Sequence, residues 1–140
     1  MKYAKFGDNH VLRLERGEEV VETITAFVRE KAVKAGSVSG IGAVADVTLG
    51  FYDPETKEYH KEIFMGSYEI ANICGSVSTL GGEEMLHIHA TIADRNHQVS
   101  AGHLFSATVS VTLEVLITQF PGVIERKMDE AIGLNLMDLD

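Results

Sequence analysis

An α+β fold is predicted for this chain of 140 residues, and three observations predict it: one early segment of helical period, period-two alternation through most of the remainder, and short turns between the alternating runs. Together they describe a single domain over residues 1–140, with a mostly antiparallel sheet of about seven strands and one main amphipathic helix packed on it.

The elements follow in chain order. Val11 to Leu14 reads as a short first strand. From Gly17 to Ala35 the period becomes helical, with Val20, Ile24, Phe27, Val28 and Lys31 falling on one stripe. Gly36 follows directly and suits the position just past a helix end. Ala43, Ala45, Val47, Leu49 and Phe51 then alternate with more polar neighbours, as a half-buried strand requires. Asp53-Pro54-Glu55-Thr56-Lys57 is a turn with proline second. Tyr59 to Met65 returns as its partner, and Gly66 marks a bulge or break before Tyr68 to Leu80. Gly81-Gly82 turns the chain into Met85 to Ala93, and Val99 to Leu104 comes next. Thr108 to Phe120 closes the series, with Val109, Val111, Leu113, Val115 and Ile117 on one face.

Composition bounds the function. Hydrophobic residues make up 45% and charged residues 24%, a globular balance that argues against disorder. No apolar run approaches the ~20 residues of a membrane helix, and the N-terminus lacks the apolar core of a secretion signal. Cys74 is the only cysteine, so no internal disulfide can form and a cytoplasmic location is expected. The formal net charge is −9, and the densest basic group (Arg29, Lys31, Lys34) lies among acids on the helix. Nucleic-acid binding by charge alone is disfavoured.

One segment concentrates chemistry. In Met85 to Ala93, Leu86, Ile88, Ala90 and Ile92 take one face while His87 and His89 take the other. Residues i and i+2 of a strand lie roughly 6.6 Å apart on the same side, so two imidazoles can converge on one ion. If residues 94–98 form a five-residue hairpin loop, the pairing is symmetric about Asn96. His89 then stands opposite His103, and Ile88 opposite Leu104. A slip of one residue would send His103 into the apolar layer, so the hydrophobic pattern favours the register that builds the cluster. His-x-His alone is a weak signal; the third histidine makes it a candidate metal site of His87, His89 and His103. Neutral imidazoles suit zinc most simply, with nickel, copper or iron as alternatives. Three protein ligands leave one position open, as in a catalytic zinc site.

Other signals carry less. Gly40-Ile41-Gly42-Ala43-Val44-Ala45 spells a dinucleotide-binding fingerprint, but a strand follows it where a helix is needed, so it reads as a turn. Cys74 is expected as a small buried hydrophobe, and His10, His60 and His97 as solvated side chains. Glu69 and Glu114 fall within strands and are candidates to orient a ligand histidine or to act as a general base.

Three segments together resemble the plants-and-prokaryotes-conserved (PPC) domain, known from plant nuclear proteins with AT-hooks and from stand-alone prokaryotic members. They are Gly66-Ser67-Tyr68-Glu69-Ile70, Leu86-His87-Ile88-His89-Ala90, and Ala101-Gly102-His103-Leu104 followed by Thr112-Leu113-Glu114-Val115. The resemblance covers nearly the whole chain. It implies an α+β homotrimer with the histidines carried at His87, His89 and His103. DNA binding is a label within the family, yet this chain has no Arg-Gly-Arg-Pro-like hook, and Ser67, Tyr68 and Ala101 depart from the pattern.

The functional expectation is a metal-binding, most simply zinc-binding, homotrimer that serves as a small-ligand-binding, sensing or assembly module. The alternatives are a zinc-dependent hydrolase using a metal-bound water, or a DNA-associated regulatory protein.

Overall fold

A computed structural model describes residues 1–139 and shows the expected α+β class: one helix against a sheet of eight strands. In chain order the elements are β1 (Lys2–Phe6), β2 (Asn9–Glu15), α1 (Val20–Glu30), β3 (Gly36–Asp53), β4 (Glu58–Leu80), β5 (Glu83–Ala93), β6 (Val99–Gln119), β7 (Glu125–Asp129) and β8 (Leu134–Asp138). Two hairpins, β1–β2 and β7–β8, extend beyond the alternation read from the sequence, which began at Val11 and ended at Phe120. Conversely, 59–65 and 68–80 are one continuous strand, as are 99–104 and 108–119.

The sheet closes on itself. β3 pairs with β4, β4 with β5, β5 with β6, and β6 back with β3, all antiparallel. The β1–β2 hairpin adds to β6, and the β7–β8 hairpin joins β4 through a short parallel pairing at Thr79↔Glu125 and Leu80↔Arg126. Closure removes most open edges from the strands that carry the core.

The helix is shorter than the run from Gly17 to Ala35, and both ends have a local cause. Glu19 is the N-cap, its carboxylate accepting from the Glu22 amide at 2.5 Å. At the other end Ala32, at φ 50°, takes the left-handed position. The Val33 amide then donates to the Val28 carbonyl at 2.9 Å and the Ala32 amide to Arg29 at 3.1 Å, a Schellman closure with alanine where glycine is usual. Gly36, expected at that position, instead opens β3. The apolar stripe is as read: Val20, Ile24, Phe27 and Val28 are buried in the core with Leu12, Leu14, Ile73, Ile88, Leu104, Leu113 and Ile117.

Two bulges break the uniform alternation expected in β3 and β6. Asp46 sits at φ 53° and its carboxylate accepts from the Gly66 amide at 3.2 Å, where the pairing jumps from Ala45↔Ser67 to Val47↔Phe64. The inward set is therefore Val44, Val47 and Leu49, while Phe51 is exposed. In β6 the pairing passes from Gly42↔Leu113 to Val44↔Val109, so four residues of β6 span two of β3. Val111, expected inward, is expelled and 68% exposed.

Gly40 and Gly42 lie within β3 rather than in a turn. A Cβ at Gly40 would meet the Glu114 carbonyl oxygen at 2.7 Å, and one at Gly42 the Thr112 oxygen at 2.3 Å. The glycines of that run serve close strand approach, not phosphate binding.

Candidate metal centre

The site rests on the β5–β6 hairpin. Asp94 organises the loop: its carboxylate accepts from the Asn96 and Gln98 amides, both at 2.8 Å, and its own amide donates to the Gln98 carbonyl at 3.0 Å. The register that follows runs Ala93↔Val99, Ile92↔Ser100, Thr91↔Ala101, Ala90↔Gly102 and His89↔His103, the pairing expected from symmetry about Asn96. It stops there. Ile88 and Leu104, expected as the next pair, are each buried but separated in the ladders, because Ile88 pairs with Gly75 and Leu104 with Leu49.

His87, His89 and His103 come together on the outer face, and Ile88, Ala90, Ile92 and Leu104 point into the core. Each offers a ring nitrogen, and the three atoms all lie within 4.8 Å of one another. Ring centroids are 5.2 Å apart for His87–His89 and His87–His103, and 5.4 Å for His89–His103, a nearly equilateral triangle. Nitrogens around a tetrahedral ion with bonds of ~2.0–2.1 Å stand roughly 3.3 Å apart, so small ring adjustments close the gap.

Burial and nearby cations lower the pKa of two of the three imidazoles. Burial, then His87, His89 and the Lys61 ammonium, lower His103 to about 4. Burial, then the Arg126 guanidinium and His89, also lower His87. Both are therefore neutral at physiological pH, the form that binds metal. His103 Nδ1 is buried with no hydrogen-bond partner among the described residues. Such an atom is costly unless something satisfies it, and a metal ion could. The donor set fits a divalent transition metal.

A wall of aromatic rings borders His103. Phe105 lies 4.8 Å from it edge-on and Tyr59 5.2 Å away, while Lys61 Nζ sits 3.8 Å above the Phe105 ring. Gly50, which also pairs with His103, leaves the space these rings need. On the other flank Arg126, only 8% exposed, donates from Nε to Ser78 Oγ at 2.7 Å, from Nη1 to the Asn135 carbonyl at 2.8 Å and from Nη2 to Ser76 Oγ at 3.4 Å. Ser76 is the strand partner of His87. None of Tyr59, Lys61, Phe105 or Arg126 was marked by motif or spacing; only the fold assembles them.

The other sequence candidates fall elsewhere. Glu69 pairs with Ala93, four residues along β5 from His89 and so roughly 13 Å away. Glu114 pairs with Ile41 and Arg13, and the two glutamates line one shallow depression with Gly42, Ile70 and Thr112. His60 and His97 are exposed as expected. His10 is not: it is 3% exposed, packed edge-on against Phe27 with centroids 5.2 Å apart. Cys74, expected buried, is exposed beside its strand partner His89.

Known proteins share this sequence pattern and this fold. The sequence profile of the Plants and Prokaryotes Conserved (PCC) domain matches residues 1–121. A crystal structure of a candidate DNA-binding protein from Bacteroides thetaiotaomicron superposes with TM-score 0.95 at 33% identity, covering 98% of this chain and 96% of that one. A metal-containing protein from Archaeoglobus fulgidus superposes at 0.86 with 36% identity, covering 98% and 99%. Bifunctional protein GlmU of Synechococcus sp. is 28% identical over 125 residues, and the chain spans only 18% of its length.

Proposed function

The chain belongs to the Plants and Prokaryotes Conserved (PCC) domain family, and from that premise and the histidine geometry we propose a metal-binding homotrimer. His87, His89 and His103 hold one divalent transition metal, most simply zinc, and the assembly acts as a small-ligand-binding or sensing module. The observation that carries this reading is the convergence of three ring nitrogens within 4.8 Å, two of them on imidazoles held neutral by burial. The Archaeoglobus relative, described as metal-containing, supports it. When bound, the ion would supply a Lewis acid with room for a further ligand; the chain supplies three imidazole donors, two half-buried and one exposed.

Assembly has its own support. The exposed area is 8066 Å², against roughly 7,100 Å² for a compact monomer of this mass. On the outer face Val11 pairs with Leu116, and Ile41 stands diagonal to Leu116 across β3 and β6, so an apolar patch awaits cover.

A hydrolase is less well supported, because Glu69 and Glu114 lie away from the triad and no carboxylate belongs to the cluster among the described residues. A DNA-associated role finds a parallel in the description of the Bacteroides relative, but the net charge of −9 opposes it.

The test is elemental analysis of protein purified without a histidine tag and dialysed against metal-free buffer. One transition-metal ion per chain is expected, and a metal-free protein that also fails to take up added zinc would overturn the reading.

A further inference from the structure

Two cations, Arg126 and Lys61, flank the triad in a protein that is otherwise strongly acidic. The chain has 21 acidic and 12 basic residues, yet the side chains flanking the histidines are Arg126, bonded to the Ser76 beside His87, and Lys61, above the Phe105 ring beside His103, and among the described residues no carboxylate belongs to the cluster. Arg126 is the unusual member. Its three hydrogen-bond acceptors are two serine hydroxyls and a backbone carbonyl, all neutral. Among the described residues no carboxylate lies within 4.0 Å of it, whereas Arg13, Lys31 and Lys127 each have one. The adjacent carboxylate, Glu125, is taken up by Thr79 and the Gly81 amide.

A buried guanidinium is usually paired with an anion, because removing its charge from water is expensive. Three of its five N–H groups are used here, the longest bond reaching 3.4 Å, so two remain for another acceptor. Ser76, which accepts from that guanidinium, is the strand partner of His87, and a metal ion held by three neutral imidazoles would add two further positive charges.

We propose that the triad is one half of an oxyanion site, with Arg126 as the charge partner of a small ligand that presents a carboxylate or phosphate oxygen beside the metal. Lys61, on the His103 flank, adds charge at the entrance. This inference rests on the metal reading above and names the ligand class for that site. Arg126 lies outside the segment matched by the family, residues 1–121, and its position depends on the β7–β8 hairpin docked on β4.

The test uses the full-length protein loaded with cobalt(II), whose visible absorption reports changes at the ion. Inorganic phosphate and acetate are titrated in separate arms into wild type, Arg126→Gln, Arg126→Lys and Lys61→Gln, with metal content measured first. The expected result is a saturable spectral shift in wild type with at least one of the two anions, weakened about tenfold or more in Arg126→Gln. Arg126→Lys should recover part of the loss, and Lys61→Gln, at an exposed position, should cost only a few fold. Metal content should stay near one per chain throughout. A wild type that holds cobalt but shows no anion dependence overturns the oxyanion site and leaves the metal site standing. A wild type that holds no cobalt overturns both. If Arg126→Gln does not fold, unchanged anion affinity in both Arg126→Lys and Lys61→Gln overturns the proposal.

Discussion

His89 and His103 are cross-strand partners, and their rings meet edge to face with centroids 5.4 Å apart. Neither ring lies in the same strand as the other, so the pair exists only while β5 and β6 keep their register. His87, on β5, completes the triangle from the far side.

Replacing a triad histidine should therefore remove metal, and replacing a loop histidine should not. His87→Ala, His89→Ala and His103→Ala are each expected to lower metal content at least tenfold after identical dialysis, while His97→Ala stays at the wild-type level. Equal content in wild type and His103→Ala would reduce the site to an isolated His-x-His.

The metal-free protein should lose stability on mild acidification. His103 titrates near 4 when folded and near ~6.5 when unfolded. Between those values the unfolded chain takes up a proton that the folded chain refuses, so acid favours unfolding. The contribution is fully present above about pH 6.5 and is lost as pH falls toward 4; His87 acts in the same direction. Thermal melts of metal-free wild type should show Tm falling through this window, with a shallower fall in His103→Gln.

Gly75→Ala tests the backbone beneath the site. A Cβ there would lie 2.0 Å from the His87 carbonyl oxygen and 2.7 Å from the Ile88 Cα, so β4 and β5 must move apart. Denaturant unfolding should show a loss of roughly 1–3 kcal/mol. Metal affinity should drop as well, because the strand that moves carries two of the three histidines.

Charge on the apolar patch should dissociate the oligomer. Leu116→Lys combined with Ile41→Lys places two ammonium groups where a partner would have to desolvate them. Light scattering should report a trimer for wild type and a monomer for the double variant, with the histidine cluster intact within each chain. A wild type that is monomeric at micromolar concentration removes the assembly proposal.

Binding to duplex DNA should be weak. With a net charge of −9, affinity at ~150 mM salt is expected to be no tighter than about micromolar, the range of non-specific binders. A salt-titrated gel shift or anisotropy measurement checks it.

The site was legible in the sequence to the extent that local rules fix it. Alternation sets the faces of β5 and the loop length sets the hairpin, so the His89–His103 pairing is readable from the sequence, while the Asp94 bonds that hold the loop are seen only in the fold. The helix stripe was readable for the same reason, but its end was not, since Ala32 takes a conformation that usually signals glycine. Bulges defeat alternation wherever they occur, as at Asp46 and near Val111, because the extra residue shows only against the pairing of the neighbouring strand and not in the local pattern. His10 and Cys74 went the wrong way because their exposure depends on what other strands and the helix cover. Arg126 had no signal at all: it lies in a short charged strand, and its role depends on Ser76 and Ser78, some fifty residues earlier.

The barrel wall has a fork at the histidines. The β5–β6 ladder is only five pairs long and ends at His89↔His103; beyond it β5 continues with β4 alone, while β6 turns to β3. His87 stands past the fork on one prong, with His89 and His103 at the crotch. An ion gripping all three would work as a clasp across the place where the wall begins to unzip. Metal supply would then set how often that seam breathes, and amides of residues 99–103 would exchange with solvent more slowly in the loaded protein than in the stripped one. A site read as a place for a ligand would also be a regulator of the wall's stiffness.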